Sequence, residues 1–120
     1  LKINNFSIMP GSETKLLKGL ELGCSGIITA TTNVTYALAR EVYDNYFNKS
    51  SQNSNKKLCD VRKVFENYNL ISGLHSFFSE KNEIYKNILP PLKLLSENDK
   101  KELILNLKKL DFNLNNLKAA

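Results

Sequence analysis

Two short loops hold the residues that could do chemistry. The first is Pro10-Gly11-Ser12-Glu13, and the second is Thr29-Ala30-Thr31-Thr32-Asn33. Each closes a short apolar run, Phe6–Met9 before the first and Gly26–Thr32 through the second. Gly11 lets backbone approach a ligand with no Cβ in the way. Ser12 can cap a helix, whose free N–H groups favour a carboxylate or phosphate nearby. Glu13 places a carboxylate at the mouth. It has two readings, a substrate-binding acid or a first-turn acid favoured by the helix dipole.

Other chemistry is poorly supported. The chain shows no Ser-His-Asp set, no metal cluster, no P-loop and no GxGxxG. His75 is the single histidine, lies inside a helical pattern and reads as a packing or surface residue. Cys24 and Cys59 stand far apart in no metal spacing. Cys24 reads as a small packed residue, and the pair fits a reducing, cytoplasmic setting. The aromatic stripe Phe77, Phe78 and Tyr85 reads as core.

The loops need elements to position them. Phe6–Met9, an amphipathic segment from Ser12 to Leu22, and Gly26–Thr32 read as strand, helix, strand: one βαβ unit. In α/β proteins the loops at the C-terminal ends of parallel strands form the site. Leu16, Leu17 and Leu20 share the helix face, and Gly23 is a natural residue to end it. Gly26 is expected to allow close packing of helix on strand.

Almost everything after Asn33 reads as helix. One helix runs from about Thr35 to Phe47 with Leu38, Val42 and Tyr46 at helical spacing. A polar connection, Asn48–Asn55, follows. The next helix carries Leu58, Val61, Phe65 and Tyr68. Another runs from about Ser72 and stops before Pro90-Pro91. Ser96 caps a last helix with Leu103, Leu107 and Leu110 inside. The expected division is 1–48 for the two strands with their helices and 49–120 for a helical extension.

The whole chain sets further bounds. Its 120 residues suffice for one modest domain, and a hydrophobic fraction of 42% permits a core. The net charge is +5, but the lysines are scattered over solvent faces. That pattern speaks for a wet surface and against a nucleic-acid partner. No apolar run approaches the ~20 residues of a membrane span. Two parallel strands alone would leave both sheet edges open. The chain is therefore expected to be the C-terminal part of a larger protein.

FSIMPGSETKLLKGLELGCSGIITATTNV resembles the strand 7–helix 7–strand 8 segment of the dihydrodipicolinate synthase / N-acetylneuraminate lyase family. The pattern is an apolar strand, a Gly-plus-acid loop, an amphipathic helix, then Leu-Gly-x-x-Gly-x-Ile. Leu89-Pro90-Pro91-Leu92 before a last helix resembles the family's C-terminal helical region. The resemblance implies a class I aldolase-type (β/α)₈ TIM barrel. Such enzymes act on pyruvate-like 2-oxo acids with an aldehyde partner, through a Lys Schiff base, without cofactor or metal, usually as homotetramers. The Schiff-base Lys, a proton-relaying Tyr and the carboxylate-gripping loop would all lie upstream of Leu1. No catalytic residue is therefore expected in this chain.

What the resemblance leaves here is substrate-binding. Gly11 matches the strand 7 glycine. Glu13 falls where sugar-acid lyases carry an Asp that binds substrate hydroxyls. Thr29, Ala30 and Thr31 match the strand 8 end around the 2-oxo acid. Thr14 and Ala30 stand where sialic-acid lyases have an acid and a Ser, which speaks against N-acetylneuraminate. A smaller 2-keto-3-deoxy sugar acid and the lysine-pathway synthase reaction both stay open. Two rival readings are a non-catalytic, basic helical interaction module and a degenerate family member.

Overall fold

The computed structural model describes residues 3–116. The chain divides into two compact units, Leu1–Cys59 and Asp60–Ala120.

In the first unit the two expected strands are extended runs without a regular ladder. Their backbones meet at Ser25 N–H donating to the Ile8 carbonyl (2.9 Å) and Ile28 N–H donating to the Pro10 carbonyl (3.2 Å). The acceptors are two residues apart and the donors three, so the runs slip by one residue against the two-residue period of a strand. Two residues account for this. Pro10 has no N–H to return. Gly26 has φ +155°, a conformation that side chains disfavour, and nothing lies within 4 Å of where its Cβ would be. Gly26 is thus required by its backbone conformation and not by the close packing expected of it. Close packing falls to Gly19, whose added Cβ would sit 3.4 Å from Pro10 Cγ and 3.5 Å from Cys24 Cβ.

Between the runs, a 3-10 turn (Glu13–Lys15) leads into helix α1 (Leu16–Glu21). The Ser12 hydroxyl accepts the Thr14 N–H across 3.4 Å, as the sequence led us to expect of a capping residue. The helix ends in a Schellman motif: Cys24 N–H donates to Gly19 O (2.8 Å) and Gly23 N–H to Leu20 O (3.0 Å), with Gly23 at φ +87°. Helix α2 (Thr32–Phe47) follows. Leu16 and Leu20 of α1 pack with Ala39 and Val42 of α2 and with Leu58.

The end of α2 repeats the Schellman pattern with Lys49 where glycine is favoured. Ser50 N–H donates to Asn45 O, Lys49 N–H donates to Tyr46 O, and Lys49 sits at φ +54°. A left-handed L-residue costs about 1–2 kcal/mol relative to glycine, less the extra chain entropy that glycine loses. Lys49→Gly is therefore expected to raise stability by about 0.5–1 kcal/mol. An upward shift of the urea midpoint at constant m would show it.

The unit boundary falls within α3 (Asn55–Glu66), whose later turns bring Phe65 into the second unit, where α4 (Leu70–Ser79) and α5 (Glu97–Lys109) pack together. The Asn69 side chain caps α4, accepting from Ile71 and Ser72 N–H at 3.1 Å each, so the helix starts before Ser72. It also stops earlier than its apolar pattern implies. The Asn82 side chain accepts the Ile84 N–H (3.0 Å) and starts a separate 3-10 turn, Glu83–Lys86. Asn competes well for backbone N–H in this way, which is why it interrupts helices. Ser96 caps α5 through the Asp99 N–H (3.1 Å), as its position suggested.

Phe77 is 2% exposed and stacks on Phe112 (6.3 Å, 21°), with Phe65 edge-on to it (5.7 Å, 89°). Leu103 and Leu107 of α5 are fully buried.

Tyr68 falls just past α3 instead of within it. Burial raises its hydroxyl above the ordinary 10.0, and Glu102 and Asp99 add to the shift. A group with a raised folded pKa stabilises fully below its unfolded value and loses that contribution as pH climbs through the folded one. Stability should therefore fall on the alkaline side of pH 10, and Tyr68→Phe should flatten that limb of a stability–pH profile.

Candidate functional site

The two loops meet at the ends of the extended runs, all within the first unit. Gly11 is exposed, and a Cβ there would lie 3.9 Å from the Ile28 carbonyl. Glu13 is fully buried. Its Oε1 accepts the hydroxyls of Thr29 (2.8 Å), Thr31 and Thr35 (2.9 Å). One carboxyl oxygen thus joins the first loop to the second run and to the first turn of α2.

The second loop is tied down in turn. Thr29 Oγ1 accepts the Thr32 N–H (3.1 Å), while Thr32 Oγ1 donates to the Thr29 carbonyl (2.7 Å). Asn33 Nδ2 donates to the Ala30 carbonyl (2.8 Å). The first of these bonds satisfies one of the backbone N–H groups that a helix N-terminus leaves open. Ser12 and Thr14 share a hydroxyl–hydroxyl bond of 2.9 Å at the first loop.

The structure therefore brings all of Gly11, Glu13, Thr29, Ala30 and Thr31 together. It divides them by exposure: Gly11 is open, Thr29 and Ala30 are half-buried, and Glu13 and Thr31 are fully buried. Thr35 belongs to the set, although sequence reasoning passed over it. Its signal was its place four residues after Thr31, on the apolar face with Ala39 and Val42, where a hydroxyl needs a partner.

The lone histidine and Cys59 have their partners outside this set. His75 Nδ1 bonds the Tyr85 carbonyl (2.8 Å), and Cys59 lies 3.9 Å from the Asn55 side chain. Among the described residues no group of His, Cys, Asp and Glu could hold a metal ion. None of their helices is long and apolar enough to cross a membrane. A cavity of about 180 Å³ in the second unit, lined by Phe77, Ile104, Lys108 and Phe112 among others, contains none of the five residues.

The profile of the Dihydrodipicolinate synthetase family matches residues 2–110. The chain belongs to this family. No curated protein matches it significantly. Among solved structures, it is similar to YagE, a prophage protein of the dihydrodipicolinic acid synthase family from E. coli K12, in a crystal structure with pyruvate. The TM-score is 0.67 at 17% sequence identity, over 89% of this chain and 38% of that one. This family member thus has the fold of part of a TIM barrel and spans well under half the length of its solved relative. The resemblance read from the first loop, α1 and the second run is confirmed at family level.

Proposed function

We propose that this chain supplies the strand 7 and strand 8 ends, and the following helices, of a Schiff-base aldolase or lyase acting on a pyruvate-like 2-oxo acid. Residues 1–48 form the barrel segment and 49–120 the helical extension. The family match over residues 2–110 carries this reading, and the pyruvate bound to YagE supports the substrate class. Both a synthase of the dihydrodipicolinate type and an aldolase for 2-keto-3-deoxy sugar acids accord with it.

In this reading the reactive Lys lies upstream of Leu1. Its unprotonated amine adds to C2 of the 2-oxo acid, water leaves, and the imine draws electrons from the neighbouring carbon. That carbon then gives up a proton and joins an aldehyde, or the reverse. The present chain walls the pocket: Gly11 offers backbone, Ala30 a methyl group and Thr29 a half-buried edge, and Glu13 with Thr31 holds them in place. The whole enzyme is a homo-oligomer that works in the cytoplasm.

The test is exchange of the pyruvate methyl protons in D₂O, followed by NMR on the protein at its natural length. Rapid exchange is expected. Ala30→Leu, which pushes a larger side chain into the wall, should raise the pyruvate concentration needed for half-maximal exchange by about tenfold or more. Wild-type protein that leaves the methyl signal untouched would count against the reading.

A further inference from the structure

The carboxyl of Glu13 gathers three threonine hydroxyls on one oxygen, Oε1. A hydroxyl has one proton to donate. Thr29, Thr31 and Thr35 each give theirs to Glu13 Oε1, and Thr32 gives its own to the Thr29 carbonyl. The Ala30 carbonyl already accepts from Asn33, and Glu13 is fully buried. Ser12 and Thr14 share one bond, so between them a single hydroxyl proton stays available at the first loop. Gly11 and Ala30 bring no polar side chain.

We propose that Glu13 is a positioning residue, and that its commitment to the three threonines leaves this wall suited to a 2-oxo acid with a hydroxyl-poor tail. The inference rests on the 2-oxo acid reading above and narrows it. A polyhydroxylated tail would lose water at each hydroxyl and recover little from the threonine hydroxyls, whose protons are spent, leaving the second Asn33 amide N–H and one hydroxyl of Ser12 and Thr14 as side-chain donors among these loop residues. An aliphatic or short tail loses nothing by lying against Gly11 and Ala30.

The test compares two six-carbon substrates on the natural-length protein: 4-hydroxy-2-oxohexanoate and 4,5,6-trihydroxy-2-oxohexanoate. The first should show kcat/KM about tenfold to a hundredfold higher, the range by which an apolar wall rejects added hydroxyls. Glu13→Gln should raise KM for both by about the same factor, on the order of tenfold, with kcat within about twofold. The ratio between substrates should stay put. A purely structural role would leave KM unchanged well below the melting temperature.

Preference for the trihydroxy acid would overturn the inference, as would a Glu13→Gln defect confined to that substrate. Trapping of pyruvate by borohydride separates the two levels. An adduct with the wrong preference overturns this inference alone, and absence of an adduct overturns the 2-oxo acid reading with it.

Discussion

Phe77→Ala is expected to destabilise the second unit by about 3–5 kcal/mol. The ring is buried between Phe112, stacked at 6.3 Å, and Phe65, edge-on at 5.7 Å. Truncation removes its transfer free energy and both ring contacts and leaves a cavity. Collapse cannot fill that cavity cheaply. Gly73 already lies close to Phe65, where an added Cβ would come within 3.4 Å of Cδ1. A loss of this size is a large share of the stability of a small unit. Urea unfolding followed by near-UV circular dichroism would measure it. A change under about 1 kcal/mol would mean that the aromatic cluster does not hold this unit together.

Glu13→Ala should cost about 2–4 kcal/mol, because removing one acceptor strands several buried donors. The cost is less than three full penalties. The Thr35 hydroxyl has the Thr31 carbonyl within reach at 3.1 Å, and Thr29 and Thr31 lie 3.4 Å apart. Hydrogen exchange should localise the damage to Gly11–Lys15 and Thr29–Thr35, leaving α4 and α5 protected. Protection lost evenly over the whole chain would contradict the role of Glu13 as a local tie.

How much of this was legible beforehand depends on the physics behind each feature. Periodicity revealed α2, α3 and α5, because Val42, Leu58, Val61, Leu103 and Leu107 are buried where helical spacing puts them. Caps were readable too: Ser12 and Ser96 accept the N–H groups their positions suggested. The break at Ser79 was not, since Phe77, Phe78, Ile84 and Tyr85 keep a helical spacing across it. There the local bond of Asn82 overrides the pattern.

The extended runs show a different gap. Short apolar runs bounded by turn residues flagged them as strands and they are extended, but regular strands also need partners in register. The one-residue slip between Ile8/Pro10 and Ser25/Ile28 arises from a proline and a glycine acting together. Phe6, Ile8, Met9 and Ile28 are exposed large apolar residues on these runs. At the site, the residue pattern gathered the two loops and the family resemblance singled out Gly11, Glu13, Thr29, Ala30 and Thr31, but neither could tell open from buried. That division came from a single carboxyl oxygen with three hydroxyl partners. Such an arrangement depends on side-chain geometry, which residue order does not encode directly.

The proposed enzyme must hold its 2-oxo acid covalently, as an imine on a Lys. The most direct measurement is the intact mass of the natural-length protein after incubation with pyruvate and reduction by borohydride. Hydride delivered to the imine carbon would fix one pyruvate on one Lys as a secondary amine. A single adduct is expected, mapped by proteolysis to a Lys upstream of Leu1. An unchanged mass, or an adduct on a surface residue such as Lys15 or Lys18, would contradict it.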